Sequence, residues 1–338
     1  MASVTIREVA VLAGVSIKTV SRILNNEPYV TEITRKKVNA AIHHLGYVAS
    51  MPARRLASGQ SYTIGLIFHN ASWHYFQDVQ MNVMETANKY GYSLLLHPCD
   101  ITNHNHAHEI MKLVTQKQVD GFIFTPPSDN ANDLIQKLEM MHFPFVRLSP
   151  MDRESNLPFV TATDRQGALD MTKYLQELGH KRIAYVAGPQ AQRAAHDRLA
   201  GYKDALLSAG CPYDPEIVIQ GDDHFESGYT SAVKFIAMKN RPTAIFCNND
   251  EMAAGAMSAV FEVGMNVPKD ISVAGFDNIP LARQIWPPLT TIDQPISKIA
   301  KKATKHLMAM LHGEEVECLH CEIPTRLVIR KSTTQNYN

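Results

Sequence analysis

From Thr63 to Ala274, short apolar runs alternate with amphipathic stretches, and this rhythm limits the fold more than any other feature of the chain. A first series comprises Ile64–Phe68, Ser93–Leu96, Gly121–Phe124 and the pair Phe145 and Val146. A second comprises Ile183–Val186, Ile217–Ile219, Ala244–Phe246 and Ile271–Ala274. Unbroken apolar runs of this kind mark strands covered on both faces. Helical patterns between them make βαβ units, so each series predicts a parallel sheet with helices on both sides. The fold class is α/β, with two similar lobes. Ligands bind outside the carboxyl ends of such strands, so two facing lobes make a cleft.

The first 60 residues follow another pattern. Thr5 and Glu8 have capping-box spacing, which predicts a helix from Ile6. Ile6, Val9, Ala10 and Ala13 share one face of it, and Gly14 ends it, because the turn needs a positive φ. Ser16 can cap a second helix with Val20 and Ile23 inward, leaving Ile17, Lys18 and Arg22 outward. A third helix runs from Thr31 to Leu45, with Val38, Ala41, Ile42 and Leu45 as its buried stripe and Gly46 as its stop. This is the plan of a helix-turn-helix whose second helix enters a DNA major groove. Charge agrees with it. The whole chain of 338 residues is neutral, but residues 1–60 hold eight Lys/Arg against three acids, and the remainder holds 25 against 30. A basic head on a mildly acidic body suits nucleic-acid binding.

The string Val9-Ala-x-x-Ala-Gly-Val-Ser-x-x-Thr-Val-Ser-Arg22 resembles the headpiece of the lactose/galactose repressor family. The likeness continues in Asn25, Gly46-Tyr47, Asp197-Arg198-Leu-Ala-Gly-Tyr, Cys247-Asn-Asn-Asp250, Val273-Ala-Gly-Phe-Asp277 and Pro287-Pro-Leu-Thr-Thr-Ile292, so it spans nearly the whole chain. It implies a headpiece over residues 1–46, a hinge linker over 47–60, and an effector-binding and dimerisation domain over 61–338. That domain would be a two-lobed, periplasmic-binding-protein-like body. One lobe takes residues 61–161 and 293–323, the other 162–292 and 324–338.

The resemblance also implies roles. Ile17, Lys18 and Arg22 would read bases, with the Arg22 guanidinium suited to the O6 and N7 of a guanine. Ser16, Thr19, Ser21, Asn25, Thr31 and Tyr47 would meet the phosphate backbone, although short hydroxyl residues there also cap helices. Ser50, Ala53, Arg54 and Leu56 would form a hinge helix, with Leu56 wedged into the minor groove. Alone, that segment has too little apolar surface to hold a helix. In the cleft, Arg198 and Asp277 are expected to hold neighbouring hydroxyls of a sugar. Asn249 would help, and Asp250 would cap the following helix. His69, Gln192 and Arg193 lie near the expected opening. Trp73, Tyr75, Phe76 and Trp286 could stack on a sugar ring. Asp223 stands where many members of the family carry an aromatic over the ligand, unless Phe225 takes that place. A missing ring favours a polyhydroxylated ligand over a purine.

Other classes fit less well. The chain has no G-x-G pair, P-loop or G-x-S-x-G string, so an α/β sugar-processing enzyme is disfavoured, and such an enzyme would leave the headpiece unexplained. An extracytoplasmic sugar-binding protein would share the body, but the chain shows neither a signal peptide nor a membrane-length apolar run. Cys318-x-x-Cys321 and the His104, His106, His108 run resemble metal spacing, yet each lacks a second matching pair. The expectation is a cytoplasmic, effector-controlled repressor without cofactor or metal. Lacking a Leu-heptad tail after Arg330, it should be a homodimer on pseudo-palindromic DNA.

Overall fold

The computed structural model describes residues 4–24, 29–47, 55, 58–69, 73–100, 103, 105–128 and 132–336. Two compact units divide the chain, Met1–Ser61 and Tyr62–Asn338.

The first unit is helical: α1 Ile6–Ala13, α2 Ile17–Leu24 and α3 Glu32–Leu45. The Glu8 carboxylate accepts from the Thr5 amide at 2.7 Å and from its hydroxyl at 2.8 Å, so the capping box is in place. Gly14 and Gly46 end α1 and α3 at φ of 66° and 60°, where any Cβ would be strained. Val9, Ala10, Val20, Ile23, Val38 and Ala41 form one small core, with Ile42, Leu45 and Tyr47 packed on its edge.

The second unit holds two six-stranded sheets. The strands of the first half are β1 Thr63–Phe68, β2 Ser93–Pro98, β3 Gly121–Phe124, β4 Phe145–Leu148 and β5 Phe159–Ala162. Between them lie α4 Trp73–Lys89, α5 His106–Thr115 and α6 Asn132–Met140. After α7 Asp164–Glu177 come β6 Ile183–Ala187, α8 Arg193–Ser208, β7 Val218–Gln220, α9 Phe225–Ile236, β8 Ala244–Cys247, α10 Asp250–Glu262, β9 Ser272–Asp277, α11 Leu281–Gln284 and β10 Thr290–Asp293. The chain then adds α12 Ile296–His312, β11 His320–Ile323 and β12 Arg326–Val328. Strand order is β11-β5-β4-β3-β1-β2 in one sheet and β12-β10-β9-β8-β6-β7 in the other.

One expectation needs correction. The second sheet is not wholly parallel, because β12 runs antiparallel to β10. β12 enters this sheet from β11 of the other one, through a short crossing rather than a βαβ unit, so nothing constrains it to run parallel.

The chain passes between lobes at three short segments, after Ala162, after Asp293 and after Ile323. Two are tied together, since the Thr163 and Thr325 hydroxyls lie 3.1 Å apart and the Thr325 amide donates to Thr163 Oγ1 at 3.0 Å. Such brief, bonded crossings suit a hinge between rigid lobes.

Helices α9 and α10 approach unusually closely. A Cβ on Gly228 or Gly255 would come within 2.0 Å of the Met252 or Phe225 carbonyl oxygen, respectively. This contact sets the start of α10 beside the loop before α9, and both open on the interlobe cavity described below. No helix among the described residues is long and apolar enough to cross a membrane.

Candidate functional site

In the headpiece, α2 buries Val20 and Ile23 and turns Ile17, 43% exposed, and Lys18 outward. Arg22 is half-buried at the last turn of the same helix. The Ser16 hydroxyl accepts from the Thr19 amide at 3.1 Å, and Thr31 Oγ1 accepts from the Thr34 amide at 3.4 Å. Ser16 and Thr31 are thus helix caps in the absence of DNA, while Ser21 is half-buried and Tyr47 leans on the core. Asn25, Ser50, Ala53, Arg54 and Leu56 lie outside the described residues.

In the body, a cavity of about 420 Å³ opens between the lobes. His69, Tyr75, Pro126, Pro127 and Ser149 line it from the first lobe. Gln192, Arg198, Asp222, Asp223, His224, Asn249 and Asp277 line it from the second, and Gln294 lies on a crossing segment. Most of these residues sit at the carboxyl ends of strands or at the helix starts that follow, as the fold requires, and Arg198 lies a turn further along α8.

Arg198 is the centre of the floor. Its Nε donates to Asp164 Oδ1 at 2.9 Å, its Nη1 to the Asn248 carbonyl at 2.6 Å, and its Nη2 lies 3.1 Å from Asp277 Oδ1. The guanidinium also lies 3.7 Å over the Phe276 ring. Gln294, with its amide turned to satisfy both partners, donates to Asp277 at 3.3 Å and accepts from Arg198 at 3.2 Å. Burial pushes the Asp277 carboxyl up to about 7; Arg198 opposes this, and Asp223 and Asp164 reinforce it. Asp277 takes a φ of 102° and Asp223 a φ of 69°, both rare for residues with a side chain. Strained backbone of this sort gathers where a ligand must be met.

Several sequence-predicted residues sit here and others do not. His69 Nδ1 donates to the Cys99 carbonyl at 2.7 Å, which leaves Nε2 as the other pole of the ring. Asn249, not Asp250, is the N-cap of α10: its Oδ1 accepts from the Met252 amide at 2.9 Å and its Nδ2 donates to the Asp223 carbonyl at 2.7 Å. Asp250 is buried instead, accepting from the Thr291 hydroxyl and the Ile279 amide. Trp73, Phe76 and Arg193 are not among the lining residues. Trp73 is 67% exposed, and Phe76 turns into the lobe with its ring 4.1 Å from Phe68. Arg193 pairs with Asp197 at 2.9 Å, one turn along its own helix. Phe225 also lies off the lining, and Trp286 is exposed, with the Lys331 ammonium 5.4 Å from its ring centre.

Sequence reasoning missed Asp164, Asn248 and Gln294. Asn248 could have been found in the Asn-Asn-Asp run and Gln294 just after Thr290-Thr-Ile-Asp293. Asp164 follows β5, a four-residue strand whose apolar run is broken by Thr161. Two contacts also span the lobes: a hydrogen bond between His74 Nδ1 and Glu251 Oε1 at 3.4 Å, and an ion pair of Arg153 with Asp197 at 2.9 Å.

Known proteins share this arrangement. Residues 5–50 match the family described as bacterial regulatory proteins, lacI family, and residues 172–333 match a periplasmic binding protein-like domain. Catabolite control protein A of Priestia megaterium is 33% identical over 332 residues, covering 98% of this chain and 99% of that one. The HTH-type transcriptional repressor PurR of Vibrio atlanticus is 35% identical over 332 residues, covering 96% and 98%. Among solved structures, the lac repressor dimer bound to operator and the anti-inducer ONPF aligns with a TM-score of 0.80 at 29% identity, covering 98% of this chain and 100% of that one. The transcriptional regulator CelR in complex with cellobiose aligns at 0.75 and 28%, covering 97% and 99%. A helix-turn-helix unit, a two-lobed body with a cleft, and full-length likeness to repressors lead to one assignment. The chain belongs to the lacI family of bacterial regulatory proteins and is a ligand-controlled, DNA-binding transcriptional repressor rather than an enzyme.

Proposed function

We propose that the chain is a homodimeric, cytoplasmic repressor that leaves its operator when a sugar fills the interlobe cavity. The observation that carries the ligand class is the cavity floor, where Arg198, Asp277 and Gln294 form one polar network among half-exposed acceptors. Carboxylates and a guanidinium suit paired hydroxyls. The cellobiose complex of a relative supports this choice. On the DNA side, Ile17, Lys18 and Arg22 read bases in the major groove, and phosphate contacts from Ser16, Thr19, Ser21, Asn25, Thr31 and Tyr47 set the register. Ser50, Ala53, Arg54 and Leu56 form the hinge, with Leu56 as the wedge. The lac repressor dimer on its operator supports the dimeric mode. Ligand control is a population shift: a sugar that prefers one lobe arrangement moves the hinges apart and lowers operator affinity.

The test is a fluorescence-anisotropy titration of full-length protein on pseudo-palindromic operator candidates, with and without sugars found by thermal shift. Release of DNA by a sugar supports the proposal. A sugar that tightens DNA binding would reverse the direction of control, and a purine acting in place of sugars would remove the ligand class.

The raised Asp277 carboxyl adds a pH dependence. A ligand hydroxyl donating to Asp277 favours its ionised form, whereas the empty site holds the proton up to about 7. Ligand affinity should therefore rise as pH climbs through about 6 to 8, by up to roughly tenfold per unit below the folded pKa, and level off above it. Calorimetry in buffers of different ionisation enthalpy should record protons released on binding. Equal affinity across that range would take Asp277 out of ligand contact.

A further inference from the structure

We infer that Asp223 is a charge-selecting residue, which makes the cavity accept uncharged hydroxylated ligands and reject their phosphorylated or acidic counterparts. This rests on the interlobe cavity being the effector site.

The wall is rich in carboxylates and poor in cations. Asp222, Asp223 and Asp277 line the cavity, while Arg198 is the one Lys or Arg among its described lining residues. The residues of the body outside the description contain no Lys or Arg either. Arg198 is already engaged on three sides by Asp164, Asp277 and the Asn248 carbonyl, and its face is covered by Phe276. Its charge is thus neutralised before a ligand arrives. Asp223 is fixed rather than free to swing away. Its carboxylate accepts from Asn248 Nδ2 at 2.8 Å, its carbonyl accepts from Asn249, and its φ of 69° holds the turn.

One feature of the site favours anions. The N-caps of α8, α9 and α10 are Gln192, His224 and Asn249, and all three line the cavity, so three helix N-termini point toward it. Those termini already face the protein's own acids: Asp222 and Asp223 precede α9, Asp250 opens α10, and Gln192 bonds the Asp223 side chain. What remains for a ligand is a surplus of negative charge in a cavity of about 420 Å³. Burial raises the Asp223 carboxyl, while the bonds from Asn248 and Gln192 and the Arg198 charge oppose that rise and favour its ionised form.

The experiment uses full-length protein and matched sets of sugars. Each set holds a neutral mono- or disaccharide, its phosphate ester and its uronic acid. Binding is read by thermal shift and then by calorimetry. The neutral member should bind about 10- to 100-fold more tightly than its anionic partners, the size of effect that like charges exert at this range. Asp223→Asn keeps the shape and removes the charge. It should narrow that gap by roughly tenfold, mainly by improving the anionic ligand. An anionic sugar bound as tightly as its neutral partner overturns the inference while leaving a sugar effector standing. A gap unchanged in Asp223→Asn removes Asp223 from the role. If no member of any set shifts the melting temperature, the sugar reading fails and the inference fails with it.

Discussion

Arg198→Ala should lower folding stability by about 3–5 kcal/mol, the usual result of removing one partner from a buried ion pair. The residue is 5% exposed, and its side chain holds Asp164 and Asp277, which are also buried. Without the guanidinium, both carboxylates would be charged and unpaired, or would take up protons. Asp164 is already short of partners, since its Oδ2 is buried with no hydrogen bond. The loss of ligand response in this variant would then be partly a loss of structure. Two further variants separate the effects. Asp164→Asn keeps an acceptor for Arg198 and should cost far less stability. Asp277→Asn leaves Arg198 bonded to Asp164 and Asn248, and should weaken ligand binding by roughly 1.5–3 kcal/mol. Denaturant midpoints and ligand titrations of all three decide the matter. If Arg198→Ala unfolds at the wild-type midpoint but no longer responds to ligand, Arg198 acts on the ligand alone.

Removal of Met1–Ser61 should abolish operator recognition and leave a folded, ligand-responsive body. The cut falls at the boundary between the two compact units. Tyr62 opens the second unit, and its amide donates to the Asp120 carboxylate at 2.7 Å. The deletion takes away eight of the 33 Lys/Arg and the exposed face of α2. Specific affinity should fall by at least about 1,000-fold, the usual gap between specific and non-specific binding. The intact protein should also lose affinity steeply as salt rises, because phosphate contacts release counterions. Anisotropy at several salt concentrations measures both effects. Operator binding by the fragment Tyr62–Asn338 would place recognition outside the headpiece.

The pattern of successes follows burial. Runs such as Gly121–Phe124 and Ala244–Cys247 are buried at every residue, so composition alone announced them. β10, β11 and β12 carry Thr-Thr-Ile-Asp, His-Cys-Glu-Ile and Arg-Leu-Val, and the last two are half-exposed sheet edges with little apolar signal. In the site, Arg198 and Asp277 were legible because they lie in recognisable strings. The aromatic residues were not separable, because Trp73, Tyr75 and Phe76 share one turn of α4 and about 100° of rotation per residue decides their fates. Tyr75 faces the cavity, Phe76 the core and Trp73 the solvent. Asp164 came to Arg198 through the end of β5, a tertiary fact that no local spacing encodes.

The order of strands has a consequence for how the protein is made. The headpiece closes its core with residues from Val9 to Ala41, all near one another in sequence. Neither lobe can do the same. β11 pairs with β5 across 161 positions from His320 to Phe159, and β12 with β10. Beyond β12, the Ser332 carbonyl accepts from Val273 and the His180 ring meets the Thr334 carbonyl at 3.1 Å. A growing chain therefore carries a finished DNA-binding head long before either lobe has its last strand. Such long-range closure is slow. A chain cut short after α12 would leave both sheets open along one edge at the same time, so a single late stop codon would disable sensing in two lobes while sparing the fold of the head.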